Sequence, residues 1–229
     1  MTHNDQTTHF LMGEGDAWFS RNQNKEGSIA NAVDVRFIKT VLQPFAARID
    51  SLLEIGCANG SKCHEIATHF DANGFGIDPS AAAINMANQL YPSQNWQVGV
   101  AHQLPYPDHS FQLVYFGFCL YLVDRVHLYR CIAEADRVLV SGGFLGIVDF
   151  QPQQPHRRPY QHADGLYTYK SHYEQLYTTT GLYTVIGKQS FSHHGPAFAT
   201  DQHERIAVTI CYKEPDPYPL ITPTNNTNT

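Results

Sequence analysis

Hydrophobic residues change their spacing in a regular way along the first two thirds of the chain. Between positions 29 and 42 they recur every three or four residues, which predicts one helix that ends near Pro44. A short continuous apolar run at 51–55 predicts a buried strand, and helical spacing returns at 61–70. The pattern therefore predicts a helix, a strand and a second helix in succession.

The same alternation continues further along the chain. Strands are predicted at 75–78, 96–100, 111–118 and 144–150, helices at 81–90 and 124–138, and a turn at 141–143. Residues 183–190 and 205–213 alternate apolar and polar side chains, as a pair of edge strands does. Strands that alternate with helices predict an α/β fold with a parallel sheet and helices on both faces.

Composition and charge limit the functions expected of this fold. The 229 residues, 42% of them hydrophobic, suffice for one compact domain. A formal charge of -6 and a pI near 6.1 disfavour a broad basic surface for nucleic acid or anionic membranes. The polar N-terminus lacks a secretory pattern, and the longest apolar stretch is shorter than the ~20 residues of a spanning helix. We therefore expect a cytoplasmic protein without membrane segments.

The five cysteines and thirteen histidines show no metal-binding spacing. The cysteines form no CxxC pair, and the histidines form no HExxH motif. We expect reduced thiols and no metal site.

Small residues occupy the turn after the first predicted strand, where a ligand can approach the backbone. Gly56, Ala58 and Gly60 lie in this turn, and Glu54 places an acid near the strand end that suits a cationic amine. The glycine spacing G-x-x-x-G differs from the G-x-G-x-x-G of dinucleotide-binding folds, which disfavours a dehydrogenase. An ordinary tight turn between strand and helix stays open as the alternative.

Asp78 is predicted at the tip of the second strand. A carboxylate at this position can accept hydrogen bonds from both hydroxyls of a ribose. The alternative interpretation is a helix cap, because Pro79 and Ser80 also suit the start of a helix.

Four segments resemble the class I S-adenosylmethionine-dependent methyltransferases, at residues 52–60, 76–80, 104–111 and 134–143. The resemblance implies a Rossmann-like, seven-stranded, mostly parallel sheet with a reversed last strand. It also implies S-adenosylmethionine as the cofactor. We predict an N-terminal lid and helix at 1–48, a methyltransferase core at 49–214 with a substrate-side insertion at 151–182, and a disordered tail at 215–229.

The same resemblance assigns residues to the cofactor. From methionine to adenine these are Gly56, Ala58, Gly60, Asp78, Pro79, Ala101, His102, Gln103 and Phe116. The chain departs from the family pattern at Ala58, which replaces a glycine, and at Val100, where many relatives carry an Asp. Adenine recognition would then depend on backbone groups and on His102 or Gln103.

The segment at 13–22 resembles the opening of methylases associated with bacterial sugar or natural-product biosynthesis. In such a lid Arg21 would pair with the methionine carboxylate. The alternative is that Trp18 and Phe19 anchor the N-terminus while Arg21 is solvated.

Methyl transfer requires an aligned acceptor and, for some acceptors, a base that removes a proton. His193 and His194 follow the penultimate predicted strand and have a suitable reference pKa, although surface histidines are the alternative. Tyr121 is a further candidate. The Tyr-rich insertion predicts an aromatic pocket, an amine cage or simple packing.

We therefore predict a methyltransferase that acts on oxygen or nitrogen of a small-molecule substrate, such as a sugar or natural-product intermediate. An RNA or protein methyltransferase, with a basic stripe at Arg157, Arg158, Lys170 and Lys188, is one alternative. A non-catalytic cofactor-binding module is the other. Neither a membrane nor nucleic acid is an expected partner, and a homodimer stays open.

Overall fold

A computed structural model describes residues 6–23 and 29–221. The α-helices are α1 (Gln6–His9), α2 (Gly15–Asn22), α3 (Val33–Leu42), α4 (Ser61–Phe70), α5 (Ala81–Leu90), α6 (Leu128–Val138) and α7 (Gln175–Thr178). The strands are β1 (Ser51–Ile55), β2 (Asn73–Asp78), β3 (Asn95–Val98), β4 (Phe111–Gly117), β5 (Leu139–Phe150), β6 (His156–Pro159), β7 (Tyr167–Lys170), β8 (Tyr183–Ser192) and β9 (Arg205–Lys213).

Seven of the strands form one sheet in the order β3-β2-β1-β4-β5-β9-β8. Strands β1 to β5 pair in parallel, and β9 runs antiparallel to both β5 and β8. This is the Rossmann-like sheet with a reversed last strand that the resemblance implied, so the predicted fold class is confirmed. The edge pair β8–β9 closes the sheet as its alternating sequence predicted.

The side chains of β1 show how the sheet separates two hydrophobic cores. Leu52 packs with Val35 and Ile66 of α3 and α4 on one face. Leu53 and Ile55 point to the other face, which α6 and the Tyr-rich segment cover. Because successive side chains of a strand point to opposite faces, the continuous apolar run of β1 is buried on both sides. Because β1 to β5 are parallel, their carboxyl ends lie at the same edge of the sheet.

The predicted turn at 141–143 lies inside one long strand. Strand β5 begins at Leu139, and its pairing with β4 shifts register between Phe111 and Leu113. Gly142 has a φ of +74°, which a glycine adopts readily. The glycine pair thus marks an irregularity within the strand, and the prediction of a separate turn was wrong.

The insertion after β5 forms a two-stranded hairpin, β6–β7, followed by the short helix α7. Tyr173 and Tyr177 are buried in the core beneath it. Tyr160 packs instead with Phe10 and Leu166 in a small cluster that joins the hairpin to the N-terminus. Much of the tyrosine density of this segment therefore serves packing.

Helices α1 and α2, joined by a π-helical turn at Phe10–Glu14, make up the N-terminal segment for which a lid was predicted. The Gln6 amide donates to the carbonyls of Leu122 (2.6 Å) and Tyr167 (2.9 Å). The Asp16 carboxylate accepts from the Ser80 hydroxyl (2.6 Å) at the start of α5. These contacts attach the lid to the carboxyl edge of the sheet.

Residues 1–5 and 24–28 of the predicted lid and helix, and 222–229 of the predicted tail, lie outside the described residues. Residues 215–221 form no helix or strand. Among the described helices, none has the length and hydropathy that a membrane crossing requires. All five cysteines are free thiols.

Asp149 is a buried carboxylate at the carboxyl end of β5. It accepts backbone hydrogen bonds from Tyr121 (3.2 Å) and Phe150 (2.8 Å). Burial nevertheless raises its pKa from 3.8 to about 8, because removal from water disfavours the charged form more than these donors favour it.

We expect Asp149 to make the protein less stable as the pH rises. An acid with a raised folded-state pKa binds its proton more tightly when folded, so stability is lost between about pH 4 and pH 8, by at most about 1.4 kcal/mol per pH unit. Asp149→Asn should remove this part of the pH dependence of Tm. The exposed Asp164→Asn should retain it, and identical pH profiles of Tm for both variants would contradict the assignment.

Candidate functional site

A cleft lies at the carboxyl edge of the sheet, under the lid. Its walls come from the ends of β1, β2 and β4 and from the loop at 99–102, and the lid adds Thr7, Phe10 and Trp18. Ligands of open α/β sheets bind at this edge, where neighbouring loops diverge. The cleft is therefore the candidate site.

Gly56 begins the turn after β1 and lines the cleft. Its φ is +78°, and a Cβ here would lie 2.6 Å from the Cβ of Cys119. Its N–H donates to the Ile77 carbonyl (2.8 Å), which ties the turn to β2. Only glycine fits this position without strain, because the backbone is left-handed and the space is filled.

Asp78 ends β2 and lines the same cleft. Its Oδ2 accepts from the Ala58 N–H (2.9 Å) and its Oδ1 from the Ser80 N–H (2.9 Å). Burial raises the pKa of this carboxyl above its ordinary value, against the opposing effect of these two donors. Each oxygen retains capacity for a further hydrogen bond, so the carboxylate fits the paired hydroxyls of a ribose.

The loop at 99–102 forms the adjoining wall. The Gly99 N–H donates to the Asp78 carbonyl (3.0 Å), which places the loop directly beside the acid. Ala101 and His102 line the cleft, and the His102 ring stacks on His127 with centroids 4.0 Å apart. A flat group next to the ribose site would meet these residues.

Residues 53–147 match the family model of the methyltransferase domain. These residues therefore form a methyltransferase domain, in agreement with the resemblance to class I S-adenosylmethionine-dependent methyltransferases. The match runs from β1 into β5 and includes the strand ends and loops that form most of the cleft. S-adenosylmethionine is the cofactor of this domain, and the fit of Gly56 and Asp78 agrees with it.

The methyltransferase domain is similar to parts of longer curated proteins. It is 37% identical over 108 residues to 27-O-demethylrifamycin SV methyltransferase of Amycolatopsis mediterranei (strain S699), a match that covers 44% of this chain and 39% of that protein. It is 30% identical over 121 residues to ajmaline N-methyltransferase of Rauvolfia serpentina, covering 48% and 40%. The chain thus spans about two fifths of the length of these relatives.

The crystal structure of the 1,6-didemethyltoxoflavin-N1-methyltransferase of Burkholderia thailandensis has the same fold. Its TM-score is 0.66 at 11% identity, and the alignment covers 91% of this chain and 87% of that one. At this identity the likeness concerns the fold alone.

The structure brings a subset of the predicted cofactor residues to the methyltransferase cleft. Gly56, Asp78, Pro79, Ala101 and His102 line it. Ala58 takes part through its N–H to Asp78, with a φ of +46°. These residues meet because the turns after β1, β2 and β3 lie at one edge.

Gly60 and Glu54 lie behind this wall and are not lining residues. A Cβ on Gly60 would lie 2.5 Å from the Trp96 ring, so the glycine makes room for that ring. The Glu54 carboxylate is 2% exposed and accepts from the Cys63 N–H (3.0 Å) in the first turn of α4. Both residues therefore support the turn after β1 without lining the cleft.

Gln103, Phe116 and Arg21 also lie outside the residues that line the cleft. The Gln103 N–H donates to the Val100 carbonyl (3.2 Å). Phe116 is fully buried in the core, and the residues at the end of β4, Gly117 and Phe118, line the cleft instead.

The Arg21 guanidinium binds within the lid. It pairs with the Glu14 carboxylate, and it donates to the Tyr160 hydroxyl (2.9 Å). The Arg21 side chain is thus paired within the lid, while 31% of it stays exposed to solvent. Its proposed pairing with a methionine carboxylate would require this local network to open.

The three candidate catalytic residues have different surroundings. Tyr121 is buried, accepts a hydrogen bond from Trp18 and packs on Phe118 at 4.9 Å; burial raises its pKa. The His193 ring lies 5.9 Å from Phe118. His194 is largely exposed and lies 3.0 Å from the Glu204 carboxylate.

Sequence reasoning missed the lid residues and Phe118 as cleft walls. Phe118 has a φ of +64°, which is uncommon for a bulky residue. A backbone conformation of this kind cannot be read from residue spacing. Among the residues that the structure describes, no group of three or more histidine, cysteine and acidic side chains could hold a metal ion.

We expect Gly56→Ala to weaken the binding of S-adenosylhomocysteine by at least about tenfold, because the new Cβ clashes with Cys119 and moves the turn. Gly165→Ala is a matched control: Gly165 has a φ of +80°, but a Cβ there meets nothing within 4 Å. Both variants incur backbone strain of about 1 kcal/mol or more. Equal affinities of the two variants in calorimetry would show that Gly56 does not shape the site.

Proposed function

We propose that this protein transfers the methyl group of S-adenosylmethionine to an oxygen or nitrogen atom of a small-molecule acceptor. The observation that carries the proposal is the Asp78 carboxylate, which lines one cleft together with Gly56 and the 99–102 loop. The names of the two curated relatives describe an O-methylated and an N-methylated small molecule. A sugar or natural-product intermediate is accordingly the acceptor class that we favour.

We assign cofactor contacts to the residues that line the cleft. Asp78 would accept the ribose hydroxyls, while its backbone donors Ala58 and Ser80 hold its orientation. The close backbone approach at Gly56 would admit the methionine portion. Ala101 and His102 would contact the adenine. Gln103 would only support the loop, through the hydrogen bond from its N–H to the Val100 carbonyl.

S-adenosylmethionine supplies a methyl group that its sulfonium already makes electrophilic, so no covalent enzyme intermediate is needed. The remaining task for the chain is to align the acceptor and to exclude water. Phe10 and Trp18 of the lid line the cleft with apolar surface. We assign them to water exclusion.

His193 is the base that we favour when the acceptor must lose a proton. Its ring packs near Phe118 and Phe150, with centroids 5.9 and 6.2 Å away. Tyr121 is less suited to accept a proton as phenolate, because its raised pKa keeps it protonated. We propose that it orients the acceptor or Trp18. Both histidines are exposed, and His194, which pairs with Glu204, is the weaker candidate.

The alternative of RNA or protein as acceptor depends on a basic stripe. Lys188 pairs with Glu174 (2.6 Å), and Lys170 is only 8% exposed with its ammonium over the Phe150 ring. Arg157 stacks on Tyr167. Side chains held in this way are less available to phosphates, so we favour the small-molecule acceptor. We further propose a cytoplasmic location, and a homodimer stays a prediction.

The ribose role of Asp78 is tested by binding of S-adenosylhomocysteine to Asp78→Asn. We expect about 100-fold weaker affinity in calorimetry, because charge-assisted hydrogen bonds to both hydroxyls are lost. Asp71→Asn, at an exposed position after α4, is the matched control and should bind normally. Unchanged affinity of Asp78→Asn would exclude its ribose role.

Catalysis is tested by incubating the protein with S-adenosylmethionine and a panel of phenols, amines and sugars, with S-adenosylhomocysteine measured by mass spectrometry. On any acceptor that is methylated, His193→Gln should lower kcat by at least about tenfold with little change in cofactor affinity. His194→Gln should retain most activity. Cofactor binding without product from any acceptor would support the non-catalytic alternative, and full activity of His193→Gln would remove it as the base.

A further inference from the structure

Four aromatic rings from three separate segments pack together beside the cleft. Phe118 follows β4, Tyr121 lies in the turn after it, Phe150 ends β5 and His193 follows β8. The Phe118 ring lies 4.9 Å from both Tyr121 and Phe150, and 5.9 Å from His193. Phe118 is therefore at the centre of the cluster, and it is the member that lines the cleft.

The backbone of Phe118 is held in a conformation that phenylalanine rarely adopts. Its φ is +64°, whereas bulky residues seldom have a positive φ because the Cβ crowds the backbone. Strain of this kind persists where the surrounding structure enforces it, and such positions concentrate at ligand sites. Phe118 lines the cleft, and its half-buried ring is therefore accessible to a ligand bound there.

The lid supplies a second ring that is connected to the same cluster. Trp18 lines the cleft, and its indole N–H donates to the Tyr121 hydroxyl. Tyr121 in turn packs on Phe118 and, edge to face, on Phe150 at 5.1 Å. Trp18 and Phe118 are thus two cleft walls that share one fixed neighbour, which holds their relative positions.

Few of the described residues that line the cleft itself can carry a charge; Asp149 and Lys170 lie behind it, next to Phe150. Of the described residues that line the cleft, those able to ionise are Asp78, His102, Cys119 and Cys131. Asp78 and His102 belong to the ribose and adenine side. Burial raises the pKa of the Cys119 thiol well above its usual range and that of Cys131 to about 12, so both are neutral. A charged acceptor would lose its hydration here without a counter-charge.

We propose that the acceptor is a neutral, planar aromatic or conjugated ring molecule that stacks on Phe118, and that Phe118 is the residue that selects it. The proposal rests on the proposed methyl transfer and narrows its acceptor from small molecules in general to flat apolar rings. A saturated ring of the same size presents no π-face and loses the stacking contribution. Trp18 closes the same site when the lid is in place.

The test compares 2-naphthol with trans-2-decalol, two fused-ring alcohols of which only the first is planar. Each is titrated by calorimetry into the full chain saturated with S-adenosylhomocysteine. We expect 2-naphthol to bind at least about tenfold more tightly, and Phe118→Leu to remove most of this preference. Phe118→Tyr retains a ring and should keep the wild-type preference to within about threefold.

Phe45→Leu is the matched control, because Phe45 is also half-buried beside a phenylalanine, Phe144, at the opposite end of β5. It should bind both alcohols like the wild type. Equal binding of the two alcohols by the wild type, or an unchanged preference in folded Phe118→Leu, overturns the acceptor proposal while methyl transfer stands. Failure of the wild type to bind S-adenosylhomocysteine would overturn both.

Discussion

The carboxylate of Asp78 joins the three segments on which the site depends. One oxygen holds the turn after β1 through Ala58, and the other holds the start of α5 through Ser80. The Ser80 hydroxyl then donates to Asp16 of the lid and accepts from the Ala83 N–H inside α5. This one partly buried acid therefore holds the turn after β1, accepts from the N–H of the residue that caps α5, and connects through that serine to the lid. Its raised pKa reflects the desolvation that this position imposes.

The other half of the cleft depends on aromatic packing. Rings from the ends of β4, β5 and β8 meet around Phe118, Trp18 of the lid reaches them through Tyr121, and the Lys170 ammonium lies over the Phe150 ring. A polar half that can orient a cofactor thus lies beside an apolar half that can accept a ring. The division follows from the sheet: β1 to β3 end on one side of the cleft, and β4, β5 and β8 end on the other.

Local sequence patterns predicted the elements of the fold closely. The bounds of β1, α4 and α5 agree with the predicted segments. The spacing of their apolar residues is continuous in the strand and periodic in the helices, and this spacing indicates each element directly. Asp78 was also predicted at a strand tip, where it lines the cleft; the residue that caps the following helix is Ser80, whose hydroxyl accepts from the Ala83 N–H. Gly142 and Gly143 misled because glycines mark irregular strands as well as turns.

What the sequence determined by itself was the order of strands and helices and the glycine turn with its acid, since these depend on neighbours a few residues apart. The tertiary structure alone decided which residues reach the cleft. It turned Phe116 into the core and Phe118 towards the ligand, filled the space beside Gly60 with Trp96, and engaged Arg21 with Glu14 and Tyr160. Such outcomes depend on side chains that are distant in sequence and meet only after the sheet has formed.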